Sequence, residues 1–139
     1  MSDFFASGLD VRLLLRLLVT AFLAVLFLQS GLDKVFDWKG NLRYFRDHFK
    51  ASPLARVVPL MTAVITLTEV GAGVLCAVGV AVLLVTGRPD WALAGIVVAA
   101  VNLLMLFFGQ RMAKDYVGAE VLANYFTLTL IGLYLMQHA

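Results

Sequence analysis

Residues 57–87 read VVPLMTAVITLTEVGAGVLCAVGVAVLLVTG, and this apolar run decides the fold. As a helix it is long enough to cross the hydrocarbon core of a bilayer, which is about 30 Å thick and needs about 20 residues. Glu69 is its only charged residue. A charge near the middle of such a helix costs about 2.5 to 3.5 kcal/mol on insertion scales, and it usually faces a bundle interior beside a partner. Glu69, whether ionised or protonated, is therefore the first candidate for a functional group.

The composition of the whole chain indicates a membrane protein. Of its 139 residues, 62% are hydrophobic and 14% are charged, with a mean hydropathy of +0.92. A soluble domain of this size is less apolar and carries more charge. The net charge of +2 is small and gives no indication of nucleic acid binding. The chain, residues 1–139, is predicted to be one transmembrane domain in a lipid bilayer, with spans at residues 13–32, 57–85, 91–108 and 119–136.

Short connections between these spans predict antiparallel neighbours. The predicted fold is an all-α integral membrane protein, an antiparallel up-down four-helix transmembrane bundle. A short amphipathic interfacial helix is predicted between spans 1 and 2, at residues 41–50. Asn41 is its predicted N-cap, and Phe45 and Phe49 follow at helical spacing among basic residues, so both rings are expected in the membrane interface.

The distribution of basic residues predicts the orientation. The first and third loops carry eight Lys and Arg residues, whereas the other side carries Arg12, Arg16 and Arg88. Because cytoplasmic loops are enriched in Lys and Arg, the chain is predicted to be multi-pass with both termini periplasmic or extracellular.

Polar residues concentrate at one end of the predicted bundle, where span 1 ends, span 3 ends and span 4 begins. Small or polar residues recur every three or four positions on spans 2, 3 and 4, and each such seam is predicted to face the bundle interior. On span 4 the predicted inward seam comprises Glu120, Asn124, Thr127, Ile131 and Tyr134. The candidate ligand-binding or proton-relay residues are Glu69, Asn102, Lys34, Arg111, Gln110, Lys114, Asp115, Asn124 and Tyr125.

Two interpretations of this polar cluster stay open. A buried carboxyl group among amides and cations binds a polar ligand or relays protons, or it simply holds helices together. In either case an ionised Glu69 requires a cation. Lys34 and Arg111 are the predicted partners, since both lie at the same end of the bundle.

The cysteine and histidine content limits metal and redox chemistry. Cys76 is the only cysteine, so the chain has no dithiol pair of its own, and a packing role is expected for it. His48 and His138 are predicted on opposite sides of the membrane, so they cannot ligate one haem or metal ion within a subunit. No haem or metal is expected, and a quinone is left open as a cofactor.

Several separated motifs resemble one family. They are Gly31-x-x-Lys34 with Asp37, Tyr44-Phe45, Glu69-x-Gly71-x-Gly73, and GQRMAKDYVGA at residues 109–119 followed by Asn124-Tyr125-Phe126. In order and spacing they resemble the DoxX family of small bacterial four-span membrane proteins. The resemblance implies the bacterial inner (plasma) membrane as the location. It also implies a shared polar core of Lys34, Glu69, Arg111, Lys114 and Asp115.

The resemblance also suggests redox partners. One relative is a membrane subunit of a thiosulfate:quinone oxidoreductase, and another is described as a membrane anchor for superoxide dismutase and a sulfurtransferase. Three functions are therefore considered: a redox-associated subunit that binds a quinone headgroup or similar small ligand, a non-catalytic anchor for soluble redox or sulfur enzymes, and a small-solute transporter. The sequence assigns no catalytic residue, and it leaves open enzymatic activity and a homo-oligomer.

Overall fold

The computed structural model describes residues 10–137, which form five α-helices joined by short turns. His138, placed by the sequence analysis beyond the last span, lies outside the described residues. Four of the five helices are long and apolar enough to cross a membrane, and the remaining one is short and amphipathic, which confirms the predicted fold class. The helices are α1 (Val11–Phe36), α2 (Trp38–His48), α3 (Val58–Thr86, preceded by a 3₁₀ turn at Ala55–Val57), α4 (Asp90–Met112) and α5 (Tyr116–Leu135).

The four long helices form a bundle in which α3 lies between α1 and α4. The fourth long helix, α5, packs mainly on α4 and touches α1 less, so it is the least enclosed of the four. The amphipathic α2 packs on α3 and α1. The centre of the bundle is filled by Leu23, Phe27, Ala72, Cys76, Ile96, Ala99 and Leu103.

Two helices continue past the ends of their predicted spans. The first ends at Phe36 and the third span's helix ends at Met112, whereas hydropathy places the ends at residues 32 and 108. Hydropathy marks the depth of the hydrocarbon core, but a helix continues through the headgroup region as long as its backbone groups are bonded. This continuation keeps Lys34 and Gln110 on helices, which restricts where their side chains reach.

The amphipathic helix begins earlier than predicted. Its N-cap is Asp37, whose carboxylate accepts a hydrogen bond from Gly40 N at 3.3 Å, so the prediction of Asn41 as N-cap is wrong. The Asn41 side chain instead donates to Asp37 O at 2.9 Å. The residues from Asp37 to Gly40 form an Asp-aromatic-x-Gly motif, and the residues from Asp115 to Gly118 repeat it at the start of α5. There Asp115 accepts a hydrogen bond from Gly118 N at 2.9 Å. An Asp N-cap explains why this motif occurs twice in the chain.

The opposite end of the bundle is closed by two arginines of α1. The Arg16 Nε donates to Leu135 O at 2.6 Å, and its Nη2 donates to Gln137 O at 2.9 Å. Arg12 also donates to Gln137 O. Cations are favoured at the C-terminal end of a helix, where the last carbonyl groups lack partners within the helix. These contacts attach the end of α5 to the start of α1.

Candidate functional site

The buried carboxylate of α3 is paired with a lysine of α1. The Lys34 Nζ lies 2.9 Å from Glu69 Oε2, and the two side chains are 11% and 3% exposed. Lys34 is one of the two cations predicted for this role. The Lys34 Nζ also donates to Ser30 O at 3.3 Å, so the ammonium group has a second partner on its own helix.

Close packing of α1 on α3 brings this pair together. A Cβ added at Gly31 would lie 2.8 Å from Val70 Cγ2, and one added at Gly73 would lie 2.7 Å from Leu28 N. Each glycine therefore lets the facing backbone approach more closely than any side chain allows. The ionic contact between Lys34 Nζ and Glu69 Oε2 spans this narrow gap.

A second polar contact joins α3 to α4. The buried Asn102 amide donates to Thr68 Oγ1 at 2.7 Å and to Ile65 O at 3.2 Å. Its carbonyl oxygen Oδ1 is buried and has no hydrogen-bond partner among the described residues. An unpaired buried amide oxygen costs about 1 to 3 kcal/mol. Asn102 therefore bridges two helices but leaves one acceptor unsatisfied.

A third polar cluster lies where α2 meets the turn between α4 and α5. The His48 Nε2 lies 2.7 Å from Gln110 Oε1 and 3.5 Å from Asp115 Oδ2. The contact with Gln110 Oε1 is a hydrogen bond in the tautomer that carries a proton on Nε2. A Cβ on Gly118 would lie 2.7 Å from Asp115 Oδ2 and 2.9 Å from the Gln110 amide nitrogen, so the cluster packs directly on the start of α5.

His48 was missed as a member of this cluster. From sequence, His48 was weighed only as a metal ligand, and no motif in α2 indicates which other helices it contacts. Its ring also stacks on Tyr44, with centroids 5.6 Å apart. A polar residue on the face of α2 that carries Phe45 and Phe49 was the available signal, because that face is the one that packs.

The remaining candidate residues lie at the surface or apart from these three contacts. The Arg111 guanidinium lies 4.4 Å from the centroid of the Tyr116 ring, a cation–π contact, and does not reach Glu69. Lys114 and Asn124 are exposed, and Tyr125 is half-buried with its ring 6.4 Å from that of Phe22. The structure thus divides the predicted single cluster into three contacts between different pairs of helices.

The predicted inward seam of α5 faces outward. On α3 and α4 the predicted seams are buried, including Thr62, Glu69 and Asn102, but Asn124 and Thr127 of α5 are exposed. The prediction for α5 is wrong because its opposite face packs better. That face offers small and aromatic side chains to the core, and these are Ala119, Leu122, Tyr125, Phe126, Thr129 and Gly132.

A small cavity of about 40 Å³ lies beneath α2, between α3 and α4. At its edge a wider apolar groove of about 670 Å³ opens between α3 and α4 on the outer surface. Cavity and groove share Met61, Ile65, Met105 and Gly109. The cavity is lined by Phe45, Phe49, Met61, Thr62, Ile65, Met105, Leu106, Gly109 and Gln110.

One end of this cavity is polar. Gln110 uses its carbonyl oxygen to accept from His48, while its amide nitrogen makes no hydrogen bond to any residue in the range 10–137. Thr62 lines the same cavity, and its hydroxyl donates to Val58 O at 2.7 Å. The cavity alone is smaller than the range of about 300 to 1000 Å³ that small-molecule sites occupy, whereas the adjoining groove, at about 670 Å³, lies within that range. The cavity is apolar along most of its wall, and Thr62 and Gln110 are its polar lining residues.

Across residues 10–137, no three His, Cys, Asp or Glu side chains come together in a group that could hold a metal ion. Cys76 is a free, fully buried thiol in the bundle core. The groove between α3 and α4 has room for a small organic molecule, and it continues into the small cavity that Gln110 lines.

Comparison with known proteins identifies the family. No curated protein sequence and no solved structure gives a significant match. A family model described as DoxX matches residues 11–109, which include α1 to α3 and most of α4. The match contains the Lys34–Glu69 pair, Asn102 and the residues lining most of the cavity. The chain is therefore a multi-pass membrane protein that belongs to the DoxX family.

Proposed function

We propose that this protein is a redox-associated membrane subunit that binds the headgroup of a quinone, or of a similar amphipathic molecule, in the cavity beneath α2. The observation that carries the proposal is the apolar groove between α3 and α4, which continues at its edge into the small cavity that Gln110 lines. A quinone has an apolar tail and carbonyl oxygens that accept hydrogen bonds. The groove suits the tail, and the amide nitrogen suits a carbonyl.

In this proposal the ion pair between Lys34 of α1 and Glu69 of α3 stabilises the bundle and does not bind the ligand. Glu69 lies against Lys34 on the α1 side of α3, whereas the cavity lies on the α4 side and is not lined by Glu69. His48 contacts the cavity residue Gln110, with its Nε2 2.7 Å from Gln110 Oε1. We therefore assign positioning of the headgroup to Gln110 and His48.

Filling the cavity tests this proposal. A Cβ at Gly109 would lie 3.5 Å from Phe49 Cζ, an ordinary contact, so the first carbon of a leucine fits there and the rest extends into the groove that Gly109 also lines. Gly109→Leu should therefore keep the fold and weaken binding of a short-chain quinone by at least about tenfold. Gly71→Leu is the matched control, because a Cβ at Gly71 meets no atom within 4 Å.

The measurements are quinone content in lipid extracts of the purified protein and saturable binding of the short-chain quinone in nanodiscs. Bound quinone that is lost in Gly109→Leu and kept in Gly71→Leu supports the proposal. Absence of quinone from the extracts, together with equal and unsaturable binding by both variants, refutes it.

The exposed basic surface favours a second candidate function, a membrane anchor for soluble redox or sulfur enzymes. Arg43 and Arg46 of α2, and Lys50 in the turn after it, are exposed near the end of the bundle that also exposes Arg111 and Lys114. Such a surface suits an acidic protein partner. Co-purification of a soluble enzyme that is released by charge reversal at Arg43 and Arg46 supports this function. The filled centre of the bundle gives no corresponding support to solute transport.

We also propose that the membrane is the bacterial inner membrane and that both termini are periplasmic or extracellular. The structure reduces the number of basic residues near the termini that count toward orientation, because Arg12 and Arg16 are bound to carbonyl groups of α5. The exposed basic residues of α2 then belong to the cytoplasmic side. A C-terminal alkaline phosphatase fusion should be active, and a fluorescent C-terminal fusion with silent phosphatase would show the inverse orientation.

A further inference from the structure

One face of α5 carries polar side chains toward the outside of the bundle. Glu120, Asn124 and Thr127 are all exposed, and Asn124 lies eight residues after the start of the helix, about 12 Å deep at 1.5 Å per residue. The Asn124 side chain makes no hydrogen bond with any residue of the described range 10–137. An amide at this depth faces lipid unless another protein helix covers it, and in lipid its donors and acceptor would be unpaired.

The other helices of the bundle do not share this feature to the same extent. Between residues 59 and 85 of α3, and between residues 91 and 108 of α4, the exposed side chains are apolar, as lipid contact requires. On α1 the exposed amide Gln29 stands alone among Phe22, Val25 and Leu32. On α5 three consecutive positions of one seam are polar. This seam is therefore distinguished from an ordinary lipid-facing surface.

The spacing of the seam is that of a helix pair. Its members follow one another at intervals of three and four residues, which is the 3.5-residue period of a left-handed coiled coil. Three of them are large and exposed, with Val117 at 76%, Ile131 at 51% and Tyr134 at 70%. The seam consists of Val117, Glu120, Asn124, Thr127, Ile131 and Tyr134.

The polar chemistry of the seam is self-complementary. An amide both donates and accepts, so Asn124 of one copy satisfies Asn124 of a second copy placed parallel to it. The Thr127 hydroxyl donates to Ala123 O at 2.9 Å, which leaves its oxygen free to accept. At the headgroup end, Tyr116 lies one turn before Glu120 on the same face and holds the Arg111 guanidinium.

We propose that α5 is the interface of a symmetric homodimer, in which the seam of one copy packs in parallel on the seam of a second copy. The two-fold axis runs along the membrane normal, and the Asn124 pair sets the register. A single Asn at an interior position of a helix pair has this effect in coiled coils. The face of α5 opposite the seam stays on its own bundle, so dimerisation requires no rearrangement of the fold. This proposal is independent of the quinone site beneath α2.

Cysteine cross-linking in native membranes tests the interface. In a Cys76→Ala background, single cysteines at Asn124, Thr127 and Ile131 should form disulfide-linked dimers on mild oxidation, because facing Cβ atoms in such a pair lie within reach of a disulfide. Cysteines at the lipid-facing positions Val25 of α1 and Leu84 of α3 are the controls and should not cross-link. Cross-linking at the seam at or below the level of these controls overturns the proposal. So does a seam cross-link to a protein of different mass.

A substitution of Asn124 tests whether its side-chain amide stabilises the dimer. Asn124→Leu should raise the dimer dissociation constant in detergent about 3- to 30-fold, while the monomer fold is kept because the residue is exposed. Gln29→Leu removes the exposed amide of α1 and should leave the dissociation constant unchanged. An effect of Gln29→Leu without an effect of Asn124→Leu overturns the proposal, as does a wild-type protein that is monomeric at every protein-to-lipid ratio.

Discussion

The Lys34–Glu69 pair predicts an unusual pattern of stability. Both side chains are almost fully buried, at 11% and 3% exposure, so removal of either one leaves the other charge uncompensated in the membrane. Breaking a buried ion pair in this way commonly costs about 3 to 5 kcal/mol. Replacing both partners by apolar side chains of similar volume is often nearly neutral. Glu69→Leu and Lys34→Met should therefore each destabilise the protein strongly, and the double variant should recover most of the loss.

The size of the expected effect makes it measurable. If each single variant loses about 3 to 5 kcal/mol and the double variant loses little, the interaction free energy from the double-mutant cycle exceeds about 3 kcal/mol. The free energy of unfolding is measured by circular dichroism during titration of a mild detergent solution with a denaturing detergent. The matched control is Arg111→Met, because Arg111 is the other cation proposed from sequence and lies on Tyr116.

Two results would refute this reasoning. Additive losses in the Lys34→Met and Glu69→Leu double variant would show that the two charges do not stabilise each other. If Arg111→Met, but not Lys34→Met, restores the stability lost in Glu69→Leu, the Glu69 carboxylate is paired with Arg111 and not with Lys34. With the structure as described, Arg111→Met should add a small, independent loss to that of Glu69→Leu.

Substitutions at Asn102 and Gly118 test the other polar contacts. Asn102→Leu should change the free energy of unfolding by less than about 1 kcal/mol, because it also removes the unpaired Oδ1. Asn102→Ala should cost about 2 kcal/mol more, because it leaves a cavity, and equal losses of the two variants in thermal unfolding would contradict this account. Gly118→Ala should cost about 1 to 3 kcal/mol and weaken the His48 contact, because its Cβ would meet Asp115 Oδ2 at 2.7 Å. Gly71→Ala, at an open position, is the control for Gly118→Ala and should be neutral or stabilising.

The elements predicted well from the sequence are those whose local pattern is compatible with only one structure. The four spans follow from hydropathy, and the buried seams of α3 and α4 follow from small and polar residues at helical spacing, including Glu69 and Asn102. The seam of α5 shows the limit of this reasoning. Periodicity shows which residues share one face of α5, but it does not show whether that face or the opposite face packs on the bundle. In the structure the opposite face does, and its Tyr125 and Gly132 contact the core.

The candidate site was predictable in part for the same reason. Gln110 and Asp115 were expected close together because only four residues separate them in the chain, and both do contact His48. The position of His48 beside Phe45 and Phe49 indicates that this face of α2 packs, but its partners Gln110 and Asp115 depend on how α2 folds back over the bundle. The cavity beneath α2 is likewise a product of three helices meeting, with Phe49 and Gly109 facing each other across it.

The attachment of α5 to α1 by two arginines also has a consequence for biogenesis. Synthesis proceeds from the N-terminus, so Arg12 and Arg16 enter the membrane before the carbonyl groups of Leu135 and Gln137 exist. These contacts form only after the last turn of α5 has left the ribosome. Until then α1 is held mainly by α3, and the two arginines lack the partners they have in the finished protein. A prematurely ended chain therefore presents unpaired guanidinium groups at the membrane surface, a mark by which quality control can distinguish it from the complete bundle.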